Sequence, residues 1–344
     1  MGLGQITGHA SIRRVIARAV TRDTLPPCFV LTGPDGVGKR RVALALAQML
    51  NCEALTAARA DAAVSADACG VCGACLRIAR GVHVDVIVIE PGETGAIRVD
   101  MVRAVVGQAA FRPFEGRRRV VIFDDADRLV PAAQNALLKT LEEPPSASVF
   151  LLVTSRPHLL LPTVRSRCPE LRFGGLRPEE IADILVARHQ FNATTALAAA
   201  ASADGSVARA LETGSDDHLQ ARQSAAALLR SLAAAPNPKR RLETGKDLAG
   251  ARRGSRASAA AARETLIGRL RALATLLRDL QLLSAQADRA WLANADLEAE
   301  LIELGQFYDT DRAGRGFASV QRAVDALTRN ASPKVVVDWL ALQI

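Results

Sequence analysis

A glycine-rich turn between an apolar run and a helical pattern limits the folds open to this chain more than any other feature. Cys28–Thr32 is apolar and β-rich, Gly33–Lys39 follows it, and Lys39–Leu50 has a helical pattern. Gly-x4-Gly-Lys in a strand–loop–helix setting is the core of a phosphate-binding loop, where backbone N–H groups and a helix N-terminus face a phosphate. We therefore predict that ATP or ADP binds here, with the lysine reaching the β- and γ-phosphates. The predicted loop residues are Gly33, Gly36, Val37, Gly38 and Lys39.

Further apolar runs of strand length alternate with helical patterns in the first half of the chain. The predicted strands are Cys28–Thr32, Val84–Ile89, Arg119–Asp124 and Val149–Thr154. Continuous apolar runs are typical of parallel strands that are covered on both faces. The helical pattern at Pro131–Glu143 begins with a proline and is ended by two more, a well-marked start and stop. This alternation predicts a doubly wound α/β domain.

Strand patterns stop at Leu176, and the rest of the chain has helical patterns. Breaks rich in glycine, serine and proline divide this part. We predict an α/β core over residues 1–174, a small helical lid over residues 175–214 and a helical C-terminal domain over residues 215–344. The expected fold class is α/β plus all-α.

The residues that normally hold Mg²⁺ in a phosphate-loop protein are only partly present. The hydroxyl residue expected after the loop lysine is replaced by Arg40, and a guanidinium cannot ligate a cation. At the end of the third predicted strand, Asp124 suits metal coordination, whereas Asp125 is one methylene shorter than the glutamate expected to orient water. The pattern favours nucleotide binding and disfavours Mg²⁺-assisted hydrolysis. An acidic turn between a strand and a helix is the alternative reading of Asp124 and Asp125.

Four cysteines have the spacing of a metal site. Cys69, Cys72 and Cys75 follow one another at intervals of three residues, and Cys52 lies upstream. Four thiolates form a closed tetrahedral site of the structural zinc type. We predict a structural Zn²⁺ in a module over about residues 52–80, with Cys52 as the least certain ligand because of the long loop that follows it. Unrelated core cysteines are the alternative.

Two polar positions near the end of the predicted core complete the candidate site. Thr154 ends the fourth strand, where a hydroxyl could contact a γ-phosphate. Arg167 follows a short segment that begins with Pro162, and a rim arginine can reach a neighbouring subunit's nucleotide as a finger. A solvated surface arginine is the plainer interpretation of Arg167 when it is taken alone.

The charge of the chain is concentrated in one segment. Lys and Arg total 44 against 36 Asp and Glu, a net charge of +8, and residues 236–275 alone have a net charge of +7. A solvated linker and helix face is favoured for this segment over a DNA or partner contact. Because the sequence has neither a membrane-length apolar run nor a secretory signal pattern, a cytoplasmic location is expected.

Taken in order, these motifs resemble the bacterial clamp-loader subunits of the AAA+ class. The matching segments are Gly33–Lys39, Cys69–Cys75, Val120–Leu129, Ala133–Pro145, Leu160–Cys168 and Arg329–Lys334. The resemblance implies a nucleotide-binding core, a lid and a C-terminal collar domain in a subunit ring that uses ATP to load a sliding clamp onto primed DNA. It also implies that Arg167 is the finger at a motor subunit's ATP. Gly205–Leu211 resembles the second sensor motif, which makes Arg209 a candidate γ-phosphate contact, with a helix-surface arginine as the alternative.

Within this class the residues most resemble the delta-prime family of DNA polymerase III, which commonly has a weakened nucleotide site and retains the finger. The resemblance implies gamma/tau motor subunits and the delta subunit as partners. An active gamma/tau-type ATPase motor is the alternative, although it should have Ser or Thr at position 40, Glu at position 125 and a basic tail beyond Ile344. An independent zinc-finger DNA-binding protein is disfavoured because Cys69–Cys75 lacks basic and aromatic residues.

Overall fold

The computed structural model describes residues 2–58, 67–92, 94–201, 203–213, 216–235, 237–248, 259–329 and 331–344. Four parts of the sequence-based predictions lie outside the described residues: residues 59–66 between Cys52 and Cys69, the predicted boundary at residue 214, residues 249–258 of the basic segment, and Asn330. The chain divides into two compact units, Met1–Ile184 with Gly205–Ala208, and Leu185–Asp204 with Arg209–Ile344. None of the described helices is both long enough and apolar enough to cross a membrane.

The described part of the chain contains a parallel sheet and a series of helices. The strands are β1 (Cys28–Thr32), β2 (Val86–Ile89), β3 (Arg119–Phe123), β4 (Ser148–Thr154) and β5 (Glu170–Arg172). The helices up to β5 are α1 (Ala10–Thr21), α2 (Lys39–Asn51), α3 (Glu53–Ala58), α4 (Gly73–Ala79), α5 (Val99–Ala109), α6 (Pro131–Glu142) and α7 (Pro162–Arg165). The later helices are α8 (Pro178–His189), α9 (Ala193–Ala201), α10 (Val207–Thr213), α11 (Asp216–Ala233), α12 (Pro238–Leu248), α13 (Ala259–Ser284), α14 (Glu298–Leu304), α15 (Thr310–Thr328) and α16 (Pro333–Gln343).

The sheet of the first unit has the strand order β2-β3-β4-β1-β5, and its strand pairs are parallel. Thr32 at the end of β1 is in register with Thr154 at the end of β4. Because the carboxyl ends of parallel strands meet at one edge, the residues that follow β1, β3 and β4 lie along the same rim. The predicted site residues of these three strands are therefore brought to one edge of the sheet.

Both faces of this sheet are buried. Leu31, Ile122 and Leu151 belong to an apolar cluster on one face, together with residues of α1 and α2. Val30 and Phe150 belong to a second cluster on the opposite face, with residues of α5 and α6. Successive strand residues point to opposite faces, so continuous apolar runs are required here.

The described part of the second unit is helical, and α11, α13, α15 and α16 share an apolar core. Tyr308 is fully buried in that core, and its hydroxyl donates to the carbonyl of Leu229 (3.1 Å). Burial raises the pKa of Tyr308 to about 12, so the phenol stays neutral and keeps its hydrogen. The predicted fold class, a parallel-sheet core together with an all-helical part, is confirmed.

Candidate functional site

The phosphate loop joins β1 to α2 as its sequence predicts. Gly33, Gly36 and Gly38 have φ values of +139°, +73° and +99°, in the region that favours glycine. A Cβ at Gly33 would lie 2.3 Å from the carbonyl oxygen of Phe173, whereas one at Gly38 would meet no atom within 4 Å. The loop is thus tightly packed at its start and open beside the N-terminus of α2, where a phosphate would be held.

Lys39 lies within the loop. The residue is 6% exposed, and its Nζ donates to the carbonyls of Gly33 (2.7 Å) and Pro34 (2.6 Å). Burial lowers its pKa, an effect that nearby carboxylates, Asp35 first among them, oppose. Within the described part of the chain the ammonium contacts two backbone carbonyls and the carboxylate of Asp35 (4.0 Å), and phosphate oxygens can replace these partners.

Two segments that are remote in sequence support the loop. His9 Nε2 lies 2.9 Å from the carbonyl oxygen of Val37, and the imidazole ring packs edge-on against Phe173. The backbone N–H of Val207 donates to the carbonyl of Gly36 (3.0 Å). Residues 205–208 therefore lie against the loop, and His9 is a contributor that the sequence interpretation missed.

Arg40 occupies the position where a metal-ligating hydroxyl is expected. Its Nη1 donates to Asp124 Oδ2 (3.0 Å) and also forms an ion pair with Glu90. Asp124 directly follows β3, and its backbone N–H pairs with Ile89 of β2. The carboxylate predicted to coordinate Mg²⁺ is thus paired with a guanidinium from the same chain, so the residues present do not fit a magnesium ion.

The other acids of this turn have different partners. Asp125 has φ +50°, and burial, followed by the charges of Asp124 and Asp127, raises its pKa. Asp127 accepts from Thr154 Oγ1 (2.6 Å) and binds Arg156 through Nε (2.9 Å) and Nη2 (2.5 Å). The hydroxyl predicted to sense a γ-phosphate is therefore directed to a carboxylate, an arrangement that fixes the end of β4.

Arg167 lies on the segment between α7 and β5. Its Nη1 donates to the carbonyl of Thr163 (2.8 Å), and its Nη2 forms an ion pair with Glu142. The Arg167 carbonyl accepts from the buried thiol of Cys28 (3.2 Å). The backbone is thereby held against β1 while the side chain is 34% exposed. In the second unit, Arg209 pairs with Asp204 (2.9 Å), and its assignment as a γ-phosphate contact stays a prediction.

The four predicted metal ligands lie together. The sulfurs of Cys52, Cys69, Cys72 and Cys75 are all within 4.8 Å of one another. Around a zinc ion with four thiolates the sulfurs are about 3.8 Å apart, from Zn–S bonds of about 2.3 Å. The donor set and spacing therefore fit a structural zinc ion after a small contraction, and Cys52, the least certain ligand, is part of the cluster.

The surroundings of the cysteines differ in polarity. Hydrogen bonds from the backbone N–H groups of Val71 and Cys72 lower the pKa of Cys69 to about 7. Burial raises the pKa of Cys75. Gln48 donates to the carbonyl of Cys75 (2.8 Å), an example of a remote support that the cysteine spacing alone does not reveal.

Comparison with known proteins found a family model, curated relatives and solved structures to which the chain is similar. A family model described as DNA polymerase III, delta subunit, matches residues 8–177. The DNA polymerase III delta' subunit of Pseudomonas aeruginosa is 43% identical over 141 residues, which cover 41% of this chain and 40% of that protein. The tau subunit of Salmonella typhimurium is 33% identical over 185 residues, which cover 54% of this chain and 26% of that protein. The chain thus spans less than half the length of these curated relatives.

Among solved structures, a gamma subunit-related protein of DNA polymerase III from Thermotoga maritima is 17% identical. The structural match covers 95% of this chain and 96% of the Thermotoga maritima chain, with a TM-score of 0.41.

Proposed function

We propose that the chain is a delta-prime-type subunit of the bacterial clamp loader, because residues 8–177 match the family model described as DNA polymerase III, delta subunit, and a delta' subunit is 43% identical over 141 residues. It would help the ATP-driven loading of the sliding clamp onto primed DNA in the cytoplasm. Its direct partners would be gamma/tau motor subunits and the delta subunit, and it would meet the clamp and DNA through the complex.

The contact between Arg40 and Asp124 is the observation that carries this assignment. A motor subunit needs a hydroxyl and a carboxylate to hold Mg²⁺ beside the β- and γ-phosphates. Here the hydroxyl is replaced and the carboxylate is bound by a guanidinium. We infer that the chain hydrolyses little or no ATP itself and regulates the hydrolysis of its neighbours.

Arg167 is the residue we propose for that task. Its ion pair with Glu142 is a partly exposed surface pair, and such pairs contribute only about 0–1 kcal/mol. A neighbouring subunit's phosphate, which carries more charge and suits the arginine fork, can therefore take the place of the carboxylate. The finger would stabilise charge in the transition state of a reaction performed by the neighbour.

The cysteine cluster is proposed to hold Zn²⁺ in a structural role. Four thiolates leave no open coordination position for a substrate. Bound zinc would join the end of α2 to α4, because Cys52 follows the first and Cys75 lies in the second.

Reconstitution with purified partners tests the assignment. The full chain is assayed alone for Mg²⁺-dependent ATP hydrolysis, and again after mixing with gamma/tau, delta, sliding clamp and primed DNA. We expect background hydrolysis alone, a stable complex with the partners, and DNA-dependent ATPase of that complex. Failure to enter the complex would reject the assignment.

An active motor of the gamma/tau type is the second candidate. It is favoured by the 33% identity to a tau subunit and by the complete Gly33–Lys39 loop. Robust Mg²⁺-dependent hydrolysis by the purified chain, lost on Lys39→Ala, would establish this alternative in place of the delta-prime assignment.

A further inference from the structure

A single guanidinium holds together the acidic groups at the ends of two neighbouring strands. Glu90 follows β2, Asp124 follows β3, and Nη1 of Arg40 contacts both carboxylates. Arg40 is the second residue of α2, directly after the lysine of the phosphate loop. The positive charge is therefore located where phosphate-loop proteins place the hydroxyl that ligates their divalent cation.

This charge is permanent and remains accessible. A guanidinium stays protonated in proteins and has five N–H donors in a planar fork. The side chain of Arg40 is 47% exposed, in contrast to the buried Lys39 beside it. The contacts with Glu90 and Asp124 use Nη1, so the geometry of the fork permits further hydrogen bonds to an incoming phosphate.

The loop itself is built to receive an anion. Gly38 has open space where a side chain would start, and α2, which begins at Lys39, directs its N-terminal N–H groups to that space. What a divalent cation would add is neutralisation of Asp124 and of the phosphates, and Arg40 already neutralises Asp124.

We propose that this loop binds the phosphates of a nucleoside di- or triphosphate without a divalent cation, with the guanidinium of Arg40 in the cation's place. The inference rests on the proposed function only in taking the loop as a nucleotide site. It makes Arg40 a specificity-determining residue, since the same position decides whether binding needs Mg²⁺. Bound nucleotide would then serve as a fixed part of the subunit, because the guanidinium of Arg40 would stand in place of the cation that assists hydrolysis.

The test is equilibrium binding of fluorescent ATP and ADP to the full chain, in buffer with Mg²⁺ and in buffer with EDTA. For the wild type we expect equal dissociation constants in the two buffers. Arg40→Thr restores the hydroxyl and frees Asp124, so nucleotide binding by this variant should depend on the metal. We expect its affinity for nucleotide to be about tenfold weaker in EDTA than in Mg²⁺, which corresponds to about 1.4 kcal/mol. Arg41→Thr, which removes the adjacent exposed arginine of the same helix, is the matched control and should remain insensitive to EDTA.

Three results would overturn the proposal. The first is a wild-type affinity that falls about tenfold in EDTA, and the second is an Arg40→Thr variant that is as insensitive to EDTA as the wild type. The third is the absence of nucleotide binding by the wild type in both buffers. Entry into the complex with gamma/tau and delta, measured separately, shows whether the subunit assignment stands when the proposal on Arg40 fails. Thermal unfolding of each variant confirms that it is folded.

Discussion

At the scale of the residue, the site consists of ion pairs whose members are far apart in the sequence. Arg40 and Asp124 are separated by 84 positions, and Arg156 and Asp127 by 29. Motif spacing singled out Asp124 and Arg167 as candidate site residues, because each follows a recognisable run. Their partners Arg40 and Glu142 could not be assigned in this way, since pairing depends on which strands become neighbours in the sheet.

If Arg167 acts as the proposed finger, replacing it with alanine should abolish hydrolysis at the neighbouring nucleotide site of the proposed clamp-loader complex. Fingers of this kind contribute about 10³-fold or more in rate, so the DNA-dependent ATPase of the complex falls while the complex still assembles. The measurement is steady-state ATPase beside gel filtration of the same sample. Arg165→Ala, an exposed arginine two positions away, is the control, and unchanged ATPase of Arg167→Ala would contradict the finger assignment.

At the scale of the element, buried polar anchors decide where strands and loops begin. The predicted second strand began at Val84, but the observed β2 begins at Val86, because a turn closed by a hydrogen bond from the Val86 N–H to the carbonyl of His83 (3.1 Å) precedes it and contains the buried Asp85. Its carboxylate accepts from the backbone N–H groups of Phe114, Glu115 and Gly116 (each 2.8 Å) and from Arg119. The apolar pattern alone does not distinguish a buried aspartate of this kind from the start of a strand.

The shortest strand was missed for a related reason. The segment of β5, Glu170–Arg172, contains one apolar residue and lies at the sheet edge, so it has no strand pattern of its own. It is a strand because Val30–Thr32 of β1 pairs with it. Long apolar runs were predictable from the sequence, whereas strands defined by tertiary pairing were not.

Asp85→Asn should destabilise the first unit in a pH-dependent manner. Burial raises the pKa of Asp85, but the hydrogen bonds dominate and hold it at about 2, below its ordinary value of 3.8. A lowered pKa stabilises the fold above the ordinary value, and the stabilisation is lost as the pH falls through the folded value. We expect Asp85→Asn to lower the free energy of unfolding by about 2 kcal/mol at neutral pH.

Urea unfolding followed by circular dichroism, at neutral pH and at acid pH down to about the folded pKa of 2, measures this difference. The difference in free energy of unfolding between the wild type and Asp85→Asn should become smaller as the solution is acidified. Asp183→Asn changes an exposed acid on α8 and should leave the midpoint unchanged. A difference in free energy of unfolding that is the same at every pH would contradict the stabilising role of the Asp85 carboxylate.

Cys72→Ser should remove the metal from the cysteine module and lower the melting temperature of the chain. Structural zinc contributes on the order of 10 kcal/mol of apparent binding free energy in small modules, and Cys72 is only partly buried, so little packing is lost with its sulfur. Metal analysis should give about one zinc ion per wild-type chain. Cys28→Ser, outside the cluster, should retain the zinc, and a wild-type chain without bound zinc would refute the assignment.

At the scale of the whole molecule, the basic character belongs to one segment and not to the α/β core. Outside residues 236–275 the net charge is only +1, since that segment has +7 of the total +8. The described part of the segment includes α12, on which Lys239 and Arg240 are exposed. The isoelectric point of 9.7 is therefore not evidence that the core contacts DNA.

Neutralising this segment on α12 should have no effect on loading. For the triple variant Lys239→Gln, Arg240→Gln and Arg241→Gln we expect unchanged assembly and unchanged DNA-dependent ATPase, because these side chains are taken as solvated. Titration of the complex with primed DNA at two salt concentrations is the measurement. A weaker and less salt-dependent affinity of the variant would instead identify a phosphate contact.

The strand order has a consequence for synthesis of the protein. β1 is the first strand to be made, yet its neighbours in the sheet are β4 and β5, the last two. A growing chain must therefore carry Cys28–Thr32 without either partner until β4, which ends at Thr154, has left the ribosome, and without the second partner until residue 172 has followed. Pairings this distant in sequence form slowly and leave apolar strands exposed meanwhile. We therefore expect the first half of this chain, while it is being made, to bind chaperones that recognise extended apolar segments.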